Sequence, residues 1–367
     1  MYTILLALSC LALIGAHFLR LPNKSSFIGN VLSFSAALLL TTIGIRAITN
    51  ASGVGRATQF DAFVNRAALI AENSDAPLIV FSGASFSRNA IDDDRLTYIL
   101  REKGYPHQAI NISLEAASLV ERKMYLDALI ARSSRAPDIM MLEVAQITDT
   151  RPTFIFNNSK FSSRAINQFN VEGVLWSTAG LLEDGCSGLV DCAKESVFLG
   201  AHGLVNVFNL GLVSQGKTLS HEAPQMSYDG ALEAKETIDG TDRQHGLTTQ
   251  NLVSPRAAHN WARSLRAIQH RDILAAGTSK VGYYFPPVIS PGARAYVADI
   301  CAGELADYTC IAPTDPALLA KLDADVWLDR EHLLDDGAAV YVAWLADQLI
   351  ASGILDEAAP QQEGAQK

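Results

Sequence analysis

Ala76-Pro77-Leu78-Ile79-Val80-Phe81-Ser82, running into Gly83-Ala84-Ser85-Phe86-Ser87-Arg88-Asn89, decides how this chain is read. The first seven residues are a short apolar run after a turn signal, Asn73-Ser74-Asp75. Its length and β-branching predict a buried strand. Gly83 lets the chain bend closely, and the residues after it begin a helix. Strands that alternate with helices imply a parallel sheet covered on both faces.

Outward from that stretch the pattern repeats. Residues 92–103 have helical spacing, with Leu96, Ile99 and Leu100 on one face. Residues 108–112 predict a second strand, 119–133 a helix and 137–144 a third strand. From 148 to 252 the pattern weakens into Asn157-Asn158, a Gly- and Ser-rich run and a polar segment at 215–249. That stretch reads as an insertion or cap, partly helical over 200–212. Regularity returns with a helix at 255–273 and a strand at 280–285 that ends in Pro286-Pro287. A helix at 293–301, a short strand at 325–328 and a helix at 337–351 follow. Residues 58–72 read as a stalk helix. The expected organisation is an anchor at 1–48, a stalk or linker at 49–75, an α/β domain at 76–355 and a polar tail at 356–367.

Composition narrows the possibilities. A net charge of −10 without a basic stripe argues against nucleic-acid binding, because a phosphate backbone would be repelled. With 49% hydrophobic and 19% charged residues, a substantial core can be buried. Two N-terminal runs, 2–19 and 27–45, carry no Lys, Arg, Asp or Glu. Both approach the roughly 20 residues that cross a hydrocarbon core, so a two-helix transmembrane hairpin is expected. A cleaved signal peptide is the alternative for the first run, although it lacks a basic start and a small-x-small site before Arg20. Arg20 and Lys24 between the runs place that loop in the cytoplasm and the rest outside; Arg46 and Arg56 pull the other way. Cys10 lies in the first run. Cys186 with Cys192, and Cys301 with Cys310, form local pairs that read as two disulfides of an oxidising compartment. Four buried free thiols are the other reading. Spacings of C-x5-C and C-x8-C do not suit zinc.

Two segments carry chemistry. Ser85 follows the end of the first strand, where open α/β sheets collect ligands, and its amide near a helix start can donate to a developing oxyanion. By itself the segment is also a good Ser/Gly turn or helix cap. Asp329 precedes His332 by three residues, close enough for its carboxylate to fix the imidazole tautomer. A helix cap at Asp329 beside a surface histidine would look the same. The other histidines outside the apolar runs (His107, His202, His221, His245, His259 and His270) show no metal-ligand spacing, and no Gly-rich phosphate loop is present.

Taken together, the segments resemble the SGNH, or GDSL-like, hydrolases. Gly83-Ala84-Ser85-Phe86 stands where that family has Gly-Asp-Ser-Leu. Asp329-x-x-His332-Leu333, followed by Gly337, stands where it has its closing Asp-x-x-His block. The resemblance covers roughly 78–349, interrupted by the insertion. It implies a three-layer SGNH-like (flavodoxin-like) fold. It also implies a serine esterase or O-acyltransferase with Ser85 as nucleophile, His332 as base and Asp329 as orienting group. The amides of Ser85 and Ala116 would hold the oxyanion, with no cofactor and no metal. Ala116 stands near the place of a family Gly, and no Asn matches the third block, where Leu142-Glu143-Val144-Ala145-Gln146 ends the strand. Gln146 or Asn157 could replace that donor. With the anchor, these departures look similar to membrane-anchored envelope proteins that move acyl groups. The implied partners are the membrane, an acyl ester on envelope glycan or lipid, and a membrane acyltransferase. The rival reading is a catalytically silent scaffold or glycan-binding protein of an envelope complex.

Overall fold

The computed structural model describes residues 59–114, 117, 119–144, 190–194, 197, 238–248 and 260–355, together with Gly29 and Ser33. Five parallel strands make one sheet: β1 (Leu78–Ser82), β2 (Gln108–Asn111), β3 (Ile139–Glu143), β4 (Lys280–Tyr284) and β5 (Cys310–Ile311). Their order is β2-β1-β3-β4-β5. Ser82 pairs with Leu142 in register, and Glu143 with Tyr284.

Side-chain alternation along the strands builds two cores. Leu78 and Val80 of β1 join Met140 and Leu142 of β3 on one face. Ile79 and Phe81 join Ile139 and Met141 on the other. Period-2 alternation with both sets apolar is what a sheet covered on both faces requires. The first face is covered by α1 (Gln59–Asn73), α4 (Leu119–Arg132), α6 (Asn260–Ala275) and α7 (Pro291–Ala302). The second is covered by α3 (Asp93–Glu102), α5 (Gly240–Thr248), α8 (Pro316–Lys321) and α9 (Asp335–Ala351). Local chemistry sets the helix starts. Asp92 caps α3 by accepting from the Arg95 amide at 2.9 Å. Asp315 caps α8 with Pro316 at its first position, where a missing N–H costs nothing. The expected parallel α/β sheet with helices on both faces is thus observed.

The order 2-1-3-4-5 reverses direction between β1 and β3. The connection from β1 runs outward to β2, and the chain then returns across to β3. Such a switch point leaves a crevice at the carboxyl ends of its two strands. Here those ends are Ser82, which leads into α2 (Ser85–Ala90), and Glu143.

Two expectations need correction. No helix among the described residues is long and apolar enough to cross a membrane. The expected membrane anchor, and the extracytoplasmic placement argued from its loop charges, are therefore not carried forward. The segment expected to form the hairpin, 1–48, lies outside the described residues apart from Gly29 and Ser33. Second, 325–328 is not a strand of the sheet: Trp327 makes an isolated antiparallel bridge to Leu333. The fifth strand is instead Cys310–Ile311, whose two residues are too few to leave a periodic signal. The helix expected at 255–273 is observed as Asn260–Ala275, and its first expected residues lie outside the described set.

The disulfide between Cys301 and Cys310 is present, with Cα atoms 5.4 Å apart, and ties the end of α7 to β5. Cys192 is also disulfide-bonded, whereas Cys186, its expected partner, lies outside the described residues. So do the expected helix at 200–212 and most of the insertion.

Candidate functional site

Ser85 opens α2 immediately beyond β1. At the first helical position its amide has no intrahelical carbonyl to bond. Its hydroxyl meets a side chain from the far end of the chain: His332 Nε2 stands 2.8 Å from Ser85 Oγ. The other ring nitrogen, His332 Nδ1, stands 2.8 Å from Asp329 Oδ2 and 2.9 Å from Oδ1. A carboxylate on Nδ1 selects the tautomer with the proton on Nδ1, which leaves Nε2 as an acceptor facing the serine hydroxyl.

The Asp329–His332 segment is a closed hairpin tip. The Leu328 amide donates to the His332 carbonyl at 2.9 Å, and the Leu334 amide to the Val326 carbonyl at 2.9 Å. Asp329 Oδ1 accepts from the amides of Glu331 at 2.7 Å and His332 at 2.8 Å, the self-bonding turn that Asp favours. Buried Trp327 fixes the base of the hairpin through its indole N–H on the Leu322 carbonyl at 2.8 Å. The Ile289 amide donates to the Arg330 carbonyl at 3.0 Å, which joins the tip to the segment after β4. Phe86 stacks on the imidazole, with ring centroids 5.2 Å apart and planes 17° from parallel. Burial would raise the Asp329 carboxyl, but hydrogen bonds from His332 and Glu331 outweigh it and hold the group below its ordinary value. Glu331 moves the other way, raised by burial without comparable donors.

No family model matches this chain, and no curated protein does. The resemblance to a membrane-anchored branch of the SGNH hydrolases is therefore corrected on two grounds, the absence of any matching family and the lack of a membrane-spanning helix among the described residues.

The geometry of the site brings together Ser85, Asp329 and His332, three of the four expected site residues. The fourth, Ala116, lies outside the described residues, as do Gln146 and Asn157. Among the described residues no group of three His, Cys, Asp or Glu side chains is placed to hold a metal ion. The structure also contains a feature that sequence reasoning missed. Glu143, at the end of β3, is fully buried and faces Arg122 of α4, whose Nη2 stands 2.9 Å from its Oε1. Glu143 Oε2 accepts from the Ala84 amide at 3.0 Å and from the Ser87 hydroxyl. A charged residue closing an otherwise apolar strand was the available signal, since buried charges are rarely tolerated unpaired.

Proposed function

We propose that this chain is a serine-dependent esterase or acyltransferase. The observation that carries the reading is the continuous relay from Asp329 through His332 to Ser85, with the imidazole 2.8 Å from the serine oxygen. Nucleophile–base and base–orienter contacts of this length are the signature of an activated serine. In the proposed reaction His332 Nε2 removes the Ser85 proton as the oxygen attacks an ester carbonyl. Asp329 stabilises the imidazolium that results. The tetrahedral oxyanion is met by the Ser85 amide, and His332 then protonates the leaving alcohol. Water or a second alcohol, deprotonated by His332, releases the acyl group from Ser85. The expected envelope glycan or lipid carrier rested on the membrane placement and forms no part of this proposal.

Turnover of a short acyl ester by the full chain tests this. Wild type should hydrolyse the ester. Ser85→Ala and His332→Ala should each lose nearly all of that activity, and the double variant should lose little more than either alone, because such residues act as a unit. Turnover that survives Ser85→Ala would end the reading. A wild-type chain that neither hydrolyses nor transfers acyl groups would favour a catalytically silent scaffold.

A further inference from the structure

We infer that Glu143 and Arg122 are positioning residues for Ser85, a buried ion pair that sets where the nucleophile turn stands against the sheet. This rests on the acyl-transfer reading of the Ser85–His332 contact. Ser85 lies between two groups that the same carboxylate oxygen holds. Glu143 Oε2 accepts from the Ala84 amide one residue before it and from the Ser87 hydroxyl two residues after it. Glu143 ends β3, whose Leu142 is in register with Ser82 of β1. The carboxylate therefore reaches from the neighbouring strand into the β1–α2 turn and fixes that turn from outside its own segment.

Arg122 completes the arrangement. Its Nη2 neutralises Glu143, and its Nε donates to the Ala117 carbonyl at 3.0 Å, which draws the segment after β2 to the same point. Glu143 and Arg122 side chains are 0% and 3% exposed, so solvent does not compete with these bonds. Gly83 carries an independent mark of the same design. A Cβ there would collide with the Glu143 carboxylate and the Ser87 hydroxyl, so the close approach requires glycine. Asn111 secures the far end of α2 by donating to the carbonyls of Ser87 at 3.1 Å and Ile91 at 2.8 Å. His332 arrives on a separate hairpin. The two halves meet in register only if the serine turn is held, and a misplacement of about 1 Å costs on the order of 10²-fold in rate.

Two double variants isolate the positioning bonds from charge and burial. Glu143→Gln with Arg122→Met removes both charges and keeps an acceptor for Ala84 and Ser87. Glu143→Leu with Arg122→Met removes both charges and the acceptor. Folding of each is checked by urea unfolding, and kcat and KM are measured with a short acyl ester. The Gln variant should rescue kcat to within about threefold of wild type, and the Leu variant should fall about 10²-fold with KM nearly unchanged. Equal kcat in the two folded variants would overturn the inference and leave Glu143 as a core ion pair. If the Leu variant fails to fold, Ser87→Ala takes its place, with about a tenfold fall in kcat expected; an unchanged kcat overturns the inference. An inactive wild type would sink the acyl-transfer reading alone. The NMR resonances of the His332 ring then decide: a shift displaced in the Leu variant, or in Ser87→Ala if that replaces it, but not in the Gln variant supports positioning, and coincident resonances overturn it.

Discussion

Ser85 stands on a turn backed by a carboxylate that is 0% exposed, whereas Asp329 and His332 stand on a hairpin tip where the carboxylate is 35% exposed. The serine half draws its partners from β1, β3 and α4, segments far apart in sequence that the sheet brings together. The aspartate–histidine half is almost self-contained, with its bonds closing within residues 326–334. Precision is obtained in two ways: by embedding a group in the core, which ties its geometry to global stability, and by folding a short loop on itself, which does not. Substitutions in the first half should therefore be read in unfolding as well as in rate, and in the second mainly in rate.

Asp329→Asn makes the sharpest case. The amide can keep the loop's shape but no longer favours the Nδ1 proton, so ester turnover should fall by up to about 10⁴ while the urea midpoint barely moves. A large loss of stability with little loss of rate would break the comparison. Arg122→Met should register in stability as well as in rate. It strands a buried carboxylate, and urea unfolding should show a loss of about 3–5 kcal/mol.

The buried half should also depend on pH. Asp93 receives the Asn111 amide at 3.0 Å and so helps hold the residue that secures α2. Burial raises its carboxyl from 3.8 to about 6, against the lowering effect of that hydrogen bond. The folded form therefore binds a proton that the unfolded form has released. Its contribution is full below pH ~4 and is lost as pH rises through ~6. Asp93→Asn should flatten this slope and add at most about 3 kcal/mol at pH 8, measured by urea unfolding across pH. The smallest effect belongs to the rim of the hairpin. Arg330 and Asp242 are 3.3 Å apart with side chains 59% and 64% exposed. Asp242→Asn should change stability by less than about 1 kcal/mol and leave turnover within about twofold.

The same division governs what could be read from the chain before its structure. The first four strands were legible because each is an apolar run bounded by turn residues. Asp329 and His332 were legible as a pair because three residues of separation bring the groups together in any tight turn. Their meeting with Ser85 was suggested by resemblance and not by periodicity, since nothing local relates residues 247 apart. Glu143, Arg122 and Ser87 were missed for the same reason: a buried polar contact between segments leaves no repeating trace. The segment 325–328 misled because Val326, Trp327 and Leu328 have a strand's composition, while the hairpin's own closure claims their backbone.

Activation of Ser85 as a nucleophile is tested by covalent labelling of the full-length chain with a fluorophosphonate, followed by peptide mass analysis. One adduct is expected, on Ser85, with none on Ser82 or Ser87. It should be absent from Ser85→Ala and strongly slowed in His332→Ala. No adduct, an adduct on a neighbouring serine, or labelling at an unchanged rate in His332→Ala would contradict the account.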